Sequence, residues 1–211
     1  MRRNLICIAV LLLGFVLPAA AQNKNDEKRI QLARVKYAAA LANIAAVRQY
    51  IEDDIPNVNY TTVVRQQNWS GSGQRADKME FYYDEVYDSE EEYDPYPTSY
   101  RLVIVRRTNE LSMGEPPAVE EYVYDDEGRP LFWFTKYDQW FEGRGMVKVE
   151  LRQYYDEEGE AIRVICKAAD ENGQMKECAV DDFVFTLAHA VEDFARFKTI
   201  FDAIYNMDTE N

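Results

Sequence analysis

The chain has 211 residues, with 38 acidic and 24 basic side chains and one histidine, for a formal net charge of −14. Its 47% hydrophobic and 13% aromatic content is enough to pack a core, which excludes wholesale disorder. The acid excess repels polyphosphate and excludes nucleic acid as a partner, and a single histidine excludes a His-rich metal centre.

Residues 1–21 have the form of a secretory signal peptide. Arg2 and Arg3 form the charged start, Ile6 to Pro18 the apolar run, and Ala19-Ala20-Ala21 before Gln22 the small-residue cleavage site. The apolar run is short for a membrane span, and Cys7 comes too early in it for a lipid-anchored form. Cleavage after Ala21 predicts a periplasmic or secreted chain with no transmembrane segment. That chain, residues 22–211, forms one α+β domain and, having lost Arg2 and Arg3, carries a net charge of −16. Loss of Cys7 leaves Cys166 and Cys178, a disulfide candidate in an oxidising compartment.

A helix is predicted over 26–53. Ile30, Ala33, Tyr37, Leu41, Ile44, Val47 and Ile51 recur at helical spacing, Asn25 or Asp26 can cap the start, and Pro56 forbids continuation. From residue 60 to 180 the period becomes two. The predicted strands are Tyr60–Gln67, Lys78–Glu85, Ser99–Thr108, Val119–Asp125, Arg129–Asp138, Val147–Asp156, Glu160–Ala168 and Gln174–Val180. Val147, Val149 and Leu151 alternate with Lys148, Glu150 and Arg152, as a half-wet strand should. Leu131-Phe132-Trp133-Phe134 is apolar on both faces, which suggests a strand covered on both sides or lining a groove.

Three turns share one chemistry: Asp125-Asp126-Glu127-Gly128, Asp156-Glu157-Glu158-Gly159 and Asp170-Glu171-Asn172-Gly173. Asp first and Gly fourth fit a type I turn closed by a left-handed glycine. The first two lie in similar segments at Tyr124–Leu131 and Tyr155–Ile162, a hairpin used twice. If Asp170 opposes Gln174, Cys166 and Cys178 face each other across the third hairpin, which favours a disulfide between them. A final helix is predicted over 182–206, capped by Asp181 or Asp182. Its apolar face is Phe183, Leu187, Val191, Phe194, Phe201 and Ile204, widened by Phe197 and Ile200. The expected architecture is an antiparallel meander of six to eight strands with a helix from each end of the chain packed on it.

Chemistry is harder to place. His189 sits mid-helix near Glu192 and Asp193. No Gly-x-Ser-x-Gly elbow, phosphate loop, EF-hand or zinc pattern is present, and nothing in the sequence requires a cofactor. Glu120, Glu121 and Glu150, on predicted strands, are the better carboxylates for a glycoside hydrolase, which needs two acids at a defined separation. Trp133, Tyr137, Trp140 and Phe141 form an aromatic group that can stack on a sugar or fill a core, with Trp140 at a strand end expected to be exposed. Connections of a meander alternate between its two ends. One end therefore collects Asp84, Glu85, Asp88, Glu90, Glu91, Glu92, Asp94, Asp125, Asp126, Glu127, Asp156, Glu157 and Glu158, with Tyr87, Tyr93 and Tyr96 among them. The other end receives Arg75, Lys78 and Arg144. Such an acidic pole can dock a basic or cationic partner, or merely be solvated.

The chain resembles a group of small, uncharacterised exported proteins of Bacteroides-type gut bacteria. The resemblance is carried by the Ala-Ala-Ala-Gln end of the leader, the Lys36-Tyr37-Ala38-Ala39-Ala40-Leu41 helix, Glu80-Phe81-Tyr82-Tyr83, Val105-Arg106-Arg107, Glu120-Glu121-Tyr122-Val123-Tyr124-Asp125 and Leu151-Arg152-Gln153-Tyr154-Tyr155. It implies a periplasmic or surface location and supplies no catalytic residues. The leading expectation is a non-enzymatic binding domain for a protein or glycan. The alternative is a carbohydrate-active hydrolase or sugar-binding module.

Overall fold

The computed structural model describes residues 19–56, 58–69, 73–87, 96–111, 118–143, 145–179 and 184–206. Most of the expected signal peptide lies outside them. Eight strands form one antiparallel sheet in simple sequence order. They are β1 (Tyr60–Trp69), β2 (Gly73–Val86), β3 (Ser99–Leu111), β4 (Ala118–Tyr124), β5 (Pro130–Phe141), β6 (Gly145–Tyr155), β7 (Ala161–Ala169) and β8 (Met175–Glu177). Helix α1 (Ala19–Glu52) covers one face and α2 (Val184–Tyr205) the other. The α+β meander with two terminal helices is therefore as expected. Burial on both faces explains the continuous apolar run of β5: Phe132 faces α1 and Trp133 faces α2.

Under α1, each cross-sheet row reads along the register. Tyr82, Ile104, Val123, Phe132 and Tyr154 lie side by side and meet Ile30, Ala33, Ala40, Ile44 and Val47. The helix starts upstream of residue 26, so Asn25 and Asp26 lie inside it rather than capping it. Its buried stripe uses Ala40 where Leu41 was expected; Leu41 and Ile51 are exposed. Two alanines in the seam, Ala33 and Ala40, bring the backbone close to the aromatic sheet. α1 ends in a left-handed turn at Asp54 (φ 56°), where the Asp54 N–H donates to Ile51 O and the Ile55 N–H to Tyr50 O. This is the usual helix-ending pair of bonds, with Asp in the place commonly taken by Gly.

Under α2, Phe81, Tyr83, Tyr122, Tyr124, Trp133 and Tyr155 pack against Leu187, Ala190, Phe194, Phe197 and Phe201. Phe194 sits edge-on to Tyr122, Tyr124 and Tyr155 at ring-centre distances of 5.1, 5.1 and 5.3 Å, the preferred aromatic geometry. Val191 and Ile204, expected on this face, are exposed. Phe183 and the proposed caps Asp181 and Asp182 lie outside the described residues.

The three acidic turns form as expected. In each, the first Asp accepts hydrogen bonds from backbone N–H groups two and four residues on: Glu127 and Arg129 to Asp125, Glu158 and Glu160 to Asp156, Asn172 and Gln174 to Asp170. Gly128, Gly159 and Gly173 take φ of 76°, 85° and 77°, which a side chain resists. The last strand is shorter than predicted, but its register is the expected one, Lys167 opposite Glu177 and Ala168 opposite Lys176. Cys166 and Cys178 are joined across it, with Cα atoms 5.2 Å apart.

Candidate functional site

The meander brings the turns after β4 and β6 and the end of β2 to one end of the molecule. What the sequence did not show is that α1 and the strands deliver cations there. Arg29, on the first described turns of α1, reaches across both turns. Its Nη2 donates to Asp125 Oδ2 at 2.9 Å, Pro130 O at 3.2 Å and Asp156 O at 3.3 Å, and its Nε donates to Tyr155 O at 3.1 Å. Asp125 also accepts from Arg129 Nε at 2.8 Å. Further along the same helix, Lys36 Nζ lies 2.6 Å from Asp126 Oδ1, and Arg101 bridges Asp126 at 3.2 Å and Asp84 at 2.7 Å. Glu127 pairs with Arg129 at 3.0 Å, and Glu27 of α1 pairs with Arg163.

The acids of this end thus form two tiers. The inner tier, Asp84, Asp125 and Asp126, is neutralised by Arg29, Lys36, Arg101 and Arg129. Burial pushes the Asp125 carboxyl up, but the Arg129 N–H and the two guanidinium groups hold it below the ordinary carboxylate range. Asp126 is likewise lowered, by the Lys36 ammonium first. Glu85, Glu157 and Glu158 form the outer tier and are exposed; Glu85 accepts a hydrogen bond from the Tyr87 hydroxyl at 2.6 Å. Asp88, Glu90, Glu91, Glu92, Asp94 and Tyr93 lie outside the described residues, as does Arg144 of the opposite end. Between α1 and the strand ends is a cleft of about 250 Å³, lined by Lys36, Asn43, Asp84, Arg101 and Asp126. Its walls carry both signs of charge.

The aromatic group does not assemble. Trp133 is 1% exposed inside the α2-side core, and Tyr137 and Phe141 pack at the edge of that core. Trp140 points to the other face by strand alternation and is 69% exposed, as expected for its strand end. It pairs across the hairpin with Met146, which is also exposed.

The three strand carboxylates are dispersed as well. Glu121 faces α1, accepting from the Tyr37 hydroxyl, with Arg106 3.8 Å away. Glu120 faces α2, in a network with Tyr122, Arg107 and Asp193 in which Arg107 lies 3.1 Å from Asp193 and 3.2 Å from Asp77. Glu150 pairs with Arg152 at 3.2 Å and Lys136 at 3.5 Å. His189 is exposed, 3.7 Å from Glu192. Among the described residues no group of three His, Cys, Asp or Glu side chains is placed to hold a metal ion, and no helix is long and apolar enough to cross a membrane.

No family model, curated protein or solved structure matches this chain.

Proposed function

We propose that this protein is an exported, non-enzymatic domain that engages a basic partner through the outer acidic tier at the α1-clamped end of the sheet. Export is supported by the Arg2-Arg3 start, the short apolar run and the Ala19-Ala20-Ala21-Gln22 junction, and by the paired cysteines. The observation that carries the binding reading is the two-tier arrangement. The inner acids are consumed in ion pairs with α1 and the strands, while Glu85, Glu157 and Glu158 are exposed and make no close salt bridge among the described residues, Glu157 feeling only the more distant charge of Arg129. The partner is a lysine- or arginine-rich protein segment.

Titration calorimetry with a lysine-rich peptide tests this reading. Exchanging Glu85, Glu157 and Glu158 together for Gln removes three exposed charges worth about 0.5 kcal/mol each, so affinity falls about tenfold. Unchanged affinity in the triple variant would refute it. Rising salt weakens the wild-type interaction by screening.

A second reading, a sugar-stacking face, is favoured by Trp140 alone. The indole lies over Gly145, where a Cβ would come within 3.8 Å of the ring, so the ring is supported from beneath and open above. Oligosaccharide titration that quenches tryptophan fluorescence in the wild type but not in Trp140→Ala would favour this reading.

A further inference from the structure

We infer that two copies of this chain pair edge to edge through β1, extending the sheet across a two-fold axis. A sheet edge presents a row of unpaired backbone N–H and C=O groups, and proteins ordinarily blunt it with Pro, bulges, inward charges or a short strand. β1 has no Pro and no bulge and is not short; its only charge, Arg65, is turned to the α2 side and spent on the buried Asp77. The strand is ten residues long, Tyr60–Trp69, rich in β-branched side chains and free of Pro and Gly. It pairs with β2 without a register shift, whereas the pairings of β2 with β3, β4 with β5 and β6 with β7 each contain one. Among the described residues nothing pairs with its outer side.

The charge pattern selects the occupant. Two molecules repel, at a net charge of −14 for the full chain and more once the leader is lost, yet no Asp or Glu occurs between Asp54 and Asp77, so β1 is acid-free. Its one charge, Arg65, is already paired with Asp77 at 2.5 Å. A second copy can therefore meet this one along β1 with little electrostatic cost. Antiparallel pairing centred on Val64, which is 53% exposed, sets Val64 opposite its own copy. It also sets Arg65 opposite Val63, so the two arginines are not opposed. The arrangement is self-complementary and uses up the edge.

The other side of the sheet is built so that growth stops there. β8 covers Lys167–Ala169, the Cys178 N–H donates to Cys166 O at 3.1 Å, and the disulfide holds the pair closed. Among the described residues the open edge on that side is the three-residue outer side of β8 and residues 161–165 of β7, of which Arg163 is engaged by Glu27 of α1. A closed dimer follows, rather than a fibre.

Sedimentation equilibrium of the purified protein is expected to give twice the monomer mass, and Val64→Lys the monomer mass with an unchanged circular dichroism spectrum. Val64→Cys, oxidised, is expected to give a dimer on a non-reducing gel, with the crosslink joining position 64 of one copy to position 64 of the other. Leu32→Cys, on the exposed side of α1, is expected to give none. A monomeric wild type, mass growing beyond the dimer, or a dimer unaffected by Val64→Lys would each overturn the inference. If Val64→Lys fails to fold, the Val64→Cys crosslink still decides.

Discussion

Arg29 concentrates the problem of this molecule in one side chain. It is 9% exposed, its partner Asp125 is buried, and it also satisfies three backbone carbonyls from two different turns. A guanidinium suits this because its donors are spread over a fixed planar fork; a lysine has three donors on a single atom and cannot span the carboxylate and all three carbonyls. Removing one partner of a buried pair leaves the other charge stranded, which costs about 3–5 kcal/mol. Asp125 keeps Arg129, so Arg29→Ala is expected at the lower end, about 3 kcal/mol. Arg129→Ala, which removes the more exposed partner and leaves Arg29 on Asp125, is expected to cost clearly less. Urea unfolding of the two variants checks the order, and equal costs would show that Arg29 is not the clamp. Lys28, next along α1 and exposed, serves as the control that should move nothing.

At the scale of elements, the turn chemistry was legible because it is local. An Asp whose carboxylate accepts from the backbone two and four residues on, followed by a left-handed Gly, needs only its own segment, so three hairpins and the Cys166–Cys178 register could be read directly. The pairing of the acidic end was not legible, because Arg29 and Lys36 lie far along the chain from Asp125 and Asp126 and nothing in a helix pattern says which strand ends its cations reach. The helix faces were legible in period but blurred by alanine: Ala40 in place of Leu41 is a choice made by the aromatic sheet beneath. The aromatic group of β5 failed as a unit for a reason that was visible, since Trp133 and Trp140 differ in parity and must face opposite sides of a strand. The disulfide closes a short loop at the sheet edge, so chain entropy assigns it about 2–3 kcal/mol. Replacing both cysteines by Ala is expected to lower stability by that amount. Hydrogen exchange should quicken across residues 161–179 while β2 to β5 keep their protection. Uniform loss of protection would mean that the bridge supports the whole sheet.

For the whole molecule, a sheet covered on both faces buries its tyrosines on both, and this sets the pH range of stability. Tyr82 lies under α1, and Tyr37, half-buried on α1 itself, packs down onto the same face; Tyr83, Tyr122, Tyr124 and Tyr155 lie under α2. Burial raises the pKa of all six. Glu121 adds to it at Tyr37, Glu80 at Tyr82, and Glu120 with Asp193 at Tyr122, and Tyr82 is pushed up to about 12. A raised folded-state pKa gives stability that is intact below the ordinary tyrosine value and is lost as pH climbs toward the folded value. The carboxylates act in the opposite sense. Asp77 and Asp125 are lowered by their arginine partners despite burial, Asp126 by Lys36, and Asp170 to about 2 by Lys176 and the turn N–H groups. Their contribution is present above the ordinary carboxylate range and is lost as pH falls through the folded values. Stability should therefore form a plateau bounded by acid unfolding below pH about 4 and alkaline unfolding above pH about 10. On the alkaline side, tyrosinate absorbance separates cause from coincidence. The six phenols are expected to ionise in one step together with loss of the near-ultraviolet dichroism, because burial holds their folded-state values above the pH at which the helices come off. A tyrosinate signal that is complete before the dichroism changes would mean that one face of the sheet opens to water in the folded protein.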